Sequence, residues 1–122
     1  MSWKLFLDDE RYPAKDTLES NWRIARNLDD AMYYIRQYGL PDLMSLDHDL
    51  GFGKMTGLDF CKQFCGYVMD RDIEWNDLIY IIHSMNPVGA ENMRAYLDNA
   101  KAFSTGQLDG ILHRIQKGKA LL

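Results

Sequence analysis

Three apolar runs in this chain end in groups that can do chemistry. Residues 42–57, DLMSLDHDLGFGKMTG, deliver Asp47, His48 and Asp49 and then Gly51, Gly53 and Gly57. Residues 5–11, LFLDDER, close on Asp8, Asp9, Glu10 and Arg11, and residues 78–89, LIYIIHSMNPVG, close on His83 and Ser84. Carboxylates brought together at a buried edge repel one another unless a cation lies between them. Hard oxygen donors with few nitrogens favour Mg²⁺ or Mn²⁺, which makes Asp8, Asp9, Asp47 and Asp49 candidate metal ligands. For each carboxylate alone, the plain alternative is a helix cap or a turn.

His48 and His83 are candidate general acids or bases, because imidazole titrates near neutral pH. His83 follows what reads as the deepest strand and is the stronger of the two. Ser84, Asn86 and the free amides of a helix start near Gly89 can hold phosphoryl oxygens without net charge. Arg11 and Lys54 are the nearest basic side chains and can complete an anion pocket, or can be solvated loop residues. His113 falls on the polar side of a tail helix and is expected to be inert.

These groups need rigid elements to place them. Residues 4–8, 43–46 and 78–82 are short and continuously apolar, the pattern of strands buried on both faces of a parallel sheet. Trp22–Arg26 alternates like an outer strand with one wetter face. Tyr12-Pro13 stops the first strand, and the polar residues 14–21 leave room for only a stub of helix in the first crossover. Asn27 or Asp29 can cap a helix that buries Leu28, Ala31, Met32 and Ile35 and ends at Gly39 and Pro41. Thr56 can cap the next, with Leu58, Cys61, Phe64, Cys65 and Val68 inward and an end near Arg71. Asn86-Pro87 is a strong start for a helix with Met93, Tyr96, Leu97 and Ala100 inward. A very short fifth strand at Lys101–Phe103 and a tail helix with Leu108, Ile111, Leu112 and Ile115 complete the expectation. In such a sheet ligands bind beyond the carboxyl ends of the strands, where all three chemical groups fall.

The 122 residues suffice for a single domain over 1–122, and 47% apolar content is ample for one core. A net charge of -4 argues against a broad nucleic-acid or membrane footprint. Cys61 and Cys65 lie one helical turn apart, which suits two buried thiols and fits neither a redox pair nor a four-ligand zinc set. The N-terminus lacks a long apolar core and no run reaches membrane-spanning length, so a cytoplasmic location is expected.

LFLDDE, WRIARNLDDAMYYIRQYGLPDLMSLD and TGLDFCKQF resemble two-component receiver domains, in which an acidic pair ends strand one and a phosphoacceptor Asp ends strand three. That likeness puts Asp8 and Asp9 in the pair, Asp47 at the acceptor and Ser84 at the hydroxyl after strand four. LDDER, SLDHDLG with the following TG, and HSMNPVG are similar instead to the cyclic-phosphate processing receiver domains. The resemblance implies a three-layer α/β receiver (flavodoxin-like) fold, with four or five parallel strands in the order 2-1-3-4(-5). It also implies a metal-dependent phosphoesterase for a cyclic phosphate, a small nucleotide or an RNA end, with Mg²⁺ or Mn²⁺ as cofactor. Two other functions are compatible with these residues: a switch phosphorylated on Asp47, with Lys101 as the receiver lysine, and a module that captures a cyclic nucleotide without turnover.

Overall fold

The computed structural model describes residues 2–14 and 21–104. Four strands, β1 (Lys4–Leu7), β2 (Trp22–Ala25), β3 (Leu43–Leu46) and β4 (Ile79–Ile82), form one parallel sheet in the order β2-β1-β3-β4. Helices α1 (Leu28–Tyr38), α2 (Gly57–Asp70) and α3 (Pro87–Ser104) flank it. This is the receiver (flavodoxin-like) arrangement that the sequence implies.

Leu5 and Leu7 pair with Met44 and Leu46 in register, and all four side chains are fully buried under the helices. Ile35 from α1, Phe60 and Phe64 from α2, and Met93 and Leu97 from α3 close over them. Both right-handed crossovers that leave β2 and β3 step in the same direction along the sheet, so α1 and α2 lie on one face. The helix starts are chemically fixed. Asn27 accepts the amide of Asp30, and Thr56 with Asp59 forms a reciprocal capping box.

Three expectations need correction. β4, read as the deepest strand, is the outer strand of the described sheet: Ile79 and Ile81 on one face are exposed, while Tyr80 and Ile82 on the other are half-buried. Lys101–Phe103 is not a strand. The apolar spacing of α3 continues through it to Ser104, and no fifth strand occurs among the described residues. Tyr96, expected inward, is exposed on α3, whereas Met93 and Leu97 are buried. The expected crossover stub falls largely on residues 15–20 and the tail helix with His113 on 105–122, outside the described residues. No described helix is long and apolar enough to cross a membrane.

Candidate functional site

The register of the sheet assembles the site. Phe6 lies beside Ser45, and Ser45 beside Ile81; two residues further along, Asp8, Asp47 and His83 form the next row on the same face. Backbone bonds carry the ladder that far: Asp47 N–H donates to Leu7 O and His83 N–H to Leu46 O. Asp8, Asp47 and His83 offer donor atoms that all lie within 4.8 Å of one another.

Asp8 is 1% exposed and takes four hydrogen bonds. Its Oδ1 accepts the amides of Glu10 (2.9 Å) and Arg11 (2.8 Å), and its Oδ2 accepts Arg11 Nε (2.8 Å) and His83 Nε2 (3.0 Å). Burial alone would raise its pKa. The two amides, His83 and the Arg11 charge outweigh that and hold it below the ordinary carboxylate range. Arg11 Nη2 also lies 3.3 Å from Asp47 Oδ2 and 3.4 Å from His83 O. Burial works against the guanidinium charge, but Asp8 and Asp47 more than offset it and push the Arg11 pKa upward. The carboxylate repulsion expected from the sequence is therefore relieved from within: Arg11 is the cation between Asp8 and Asp47.

His83 is fixed on three sides. Its ring stacks on Phe6 at 4.6 Å between centroids, Nδ1 meets Ser45 Oγ at 2.8 Å, and Nε2 meets Asp8. With Asp8 ionised, Nε2 carries the proton, and in the neutral ring Nδ1 accepts from the Ser45 hydroxyl. His48 is held differently. Asp49 Oδ1 lies 2.8 Å from its Nδ1, and its Nε2 has no partner among the described residues. The Asp49 pKa falls mainly because of that bond. Asp47 Oδ1 takes the His48 amide at 2.8 Å.

The remaining candidates brace the loops. Ser84 Oγ accepts the amide of Asn86 at 3.0 Å, and Asn86 Oδ1 accepts the amide of Gly89 at 2.9 Å, so that amide is spent on the cap. Gly89 also makes room for His48: a Cβ there would meet the ring at 2.5 Å. Asp9 and Asp49 do not join the Asp8, Asp47 and His83 cluster, but they line a cleft of about 580 Å³ with Asp8, Glu10, Arg11, Asp47, Gly51, Phe52 and Met85. Lys54 is exposed and outside that lining. Lys101 sits at the opposite end of the sheet, where Nζ donates to Leu78 O at 2.9 Å. It therefore cannot serve as a receiver lysine. Cys61 and Cys65 are free and buried, and burial pushes the Cys65 thiol up to about 12 and that of Cys61 further still.

Three contributors are not obvious in the sequence. Ser45 interrupts the apolar run LMSL two residues before Asp47, and that period of two is the signal that it shares the face of the site. Arg26 Nη1 donates to Asp8 O (3.0 Å) and Arg11 O (2.7 Å) and so ties down the acidic loop. Phe6 supplies the surface on which His83 rests.

The chain is similar in fold to a solved structure of a yeast Spc42 trimeric coiled-coil segment fused to another structure. The TM-score is 0.53 at 17% identity, with 99% of this chain and 94% of that one covered. None of the curated proteins compared matches it. The family model for the cyclic-phosphate processing receiver domain matches residues 3–99, and with that match over most of its length the chain belongs to this family.

Proposed function

We propose that the cleft at the strand ends hydrolyses a cyclic phosphodiester. The observation that supports this best is Arg11, a permanently charged guanidinium anchored on Asp8 and Asp47 yet 46% exposed and lining the cleft. Its Nη1 has no partner among the described residues and is free to take non-bridging phosphoryl oxygens.

Among the described residues Asp47 Oδ2 has only Arg11 as an ion-pair partner, at 3.3 Å, and it is the carboxylate suited to take a proton from the attacking water. As the water oxygen bonds to phosphorus, the ring P–O bond breaks and its electron pair goes to the leaving oxygen. Neither His48 nor His83 lines the cleft directly; of the two, His48 keeps Nε2 without a partner among the described residues and is the better proton donor to that oxygen. Asp49, a cleft residue, holds Nδ1–H, so the ring gives the proton from Nε2 as the imidazolium and is left neutral. His83, with both nitrogens engaged inside the protein, is a positioning residue that fixes Asp8 and through it Arg11.

Asp8, Asp47 and His83 form a donor set that fits a divalent cation, and an imidazole beside two carboxylates suits Mn²⁺ better than Mg²⁺. Bound there in place of Arg11, the ion would polarise a phosphoryl oxygen and lower the pKa of a coordinated water. Hydrolysis of a 2′,3′-cyclic nucleotide by wild type and two variants tests the assignment. His48→Ala should lower kcat by about 10² to 10⁴ with KM retained, the range for a lost general acid. His83→Gln, which keeps a donor towards Asp8, should retain most of kcat. The reverse ranking would return the proton donor to His83.

A further inference from the structure

The cleft has an apolar lip that hydrolysis of a phosphodiester does not by itself require. Phe52 is fully exposed and Met85 largely so, and both line the cleft together with Arg11 and Asp47. They come from different loops, Phe52 from β3–α2 and Met85 from β4–α3. Burying a large aromatic ring is normally favourable, so an aromatic side chain left wholly in water beside a charged cleft calls for a ligand.

The backbone holds Phe52 out. Gly51 and Gly53 flank it at φ 115° and 74°, in the left-handed region that glycine adopts without strain. Lys54 N–H donates to Gly51 O at 3.1 Å, closing a four-residue turn with Phe52 at its first corner and Gly53 at its second. A collapsed loop would fold the ring inward, whereas this turn presents it at a set place. We infer that Phe52 and Met85 form a platform for a nucleobase, so that the substrate is a nucleoside cyclic phosphate and not a base-free cyclic phosphate ester. This rests on the hydrolase reading of the same cleft. Arg11 takes the phosphoryl group, and the base, one ribose away, stacks on the Phe52 ring with the Met85 thioether packed against it. Any base offers a π-face, so the platform selects for a base over none more than for one base over another.

The test compares 2′,3′-cyclic AMP with glycerol 1,2-cyclic phosphate, which carries the same five-membered ring without a base. Wild type should show a higher kcat/KM for the nucleotide. In Phe52→Ala that preference ratio should fall on the order of 10- to 100-fold, the usual yield of one stacked base, and Phe52→Trp should restore it. Phe52 contacts no core residue, so Phe52→Ala should melt as wild type does. An unchanged ratio in Phe52→Ala would overturn the platform while leaving hydrolysis intact. Should wild type open neither compound, the hydrolase reading fails, and calorimetry with the same two compounds decides the platform separately. Tighter binding of the nucleotide that is lost in Phe52→Ala upholds it; equal binding, or none, overturns it.

Discussion

His83, just past the end of β4, donates to Asp8, just past the end of β1, across a distance of 3.0 Å, so a side chain reaches over β3 to join the two outer members of the site. Ser45, directly beneath on β3, holds the other nitrogen of the same ring. Three strand ends thus share one hydrogen-bonded chain, Ser45 to His83 to Asp8 to Arg11 to Asp47. Its stability consequences follow from the charge on Asp8.

The folded-state pKa of Asp8 is depressed, so its contribution is present in full above the unfolded value near 3.9 and is lost as pH falls through the folded value. Asp8→Asn takes the anion from His83 and one of two from Arg11, which keeps Asp47, and losing hydrogen bonds to a charged group costs about 1.5–3 kcal/mol. Urea denaturation should show that loss at pH 7 and a narrowing gap below about pH 4, as the wild-type carboxylate takes up its proton. A gap that is absent at pH 7, or that widens in acid, would contradict the network.

Arg11 and a divalent cation compete for the same oxygens. Arg11→Ala frees Asp47 Oδ2, leaves Asp8 Oδ2 to His83 alone and removes a like charge, so calorimetry should find Mn²⁺ bound at least about tenfold tighter than in wild type, or 1.4 kcal/mol. Asp47→Asn should abolish the heat in both backgrounds. Weaker Mn²⁺ binding in Arg11→Ala would show that the guanidinium supports the metal site and does not occupy it.

Two glycines of α2 give opposite expectations. A Cβ at Gly57 would lie 2.0 Å from the Asp47 carbonyl oxygen and 2.8 Å from the Met93 methyl, so Gly57→Ala should destabilise by about 1–3 kcal/mol or more and displace Asp47. Gly66 has open space around it in the helix interior, and Gly66→Ala should stabilise by about 0.5–1 kcal/mol. Thermal melts of the two variants decide this. Shifts of the same sign would mean that α2 does not approach β3 as closely as described.

Much of this was legible in the chain. Continuous apolar runs that end in Asp8, Asp47 and His83 place all three at the carboxyl edge, and the caps at Thr56 and Asn86 follow from residue type, whereas Asn27 and Asp29 were equal candidates until the structure showed Asn27. Arg11 was legible as a candidate anion ligand, but not as the bridge between two carboxylates, because Arg11 and Asp47 are distant in sequence and only the β1–β3 register brings them together. Periodicity also cannot tell an edge strand from a central one when both faces are apolar, which is why β4 read as deep. Nor could it show that His83 has both nitrogens occupied, by Ser45 and Asp8, while His48 Nε2 has no partner among the described residues.

Phosphorus NMR of the protein with diamagnetic Mg²⁺, first with acetyl phosphate and then with a 2′,3′-cyclic nucleotide, tests the central claim most directly. The site described here should leave no lasting phospho-protein with acetyl phosphate, and Lys101, at the far end of the sheet, cannot support one. It should convert the cyclic phosphodiester resonance to that of a monoester, and Asp47→Asn should abolish the conversion. A stable acyl phosphate on Asp47 with the cyclic nucleotide untouched would contradict the account and make the protein a switch; a nucleotide that binds and stays cyclic would make it a capture module.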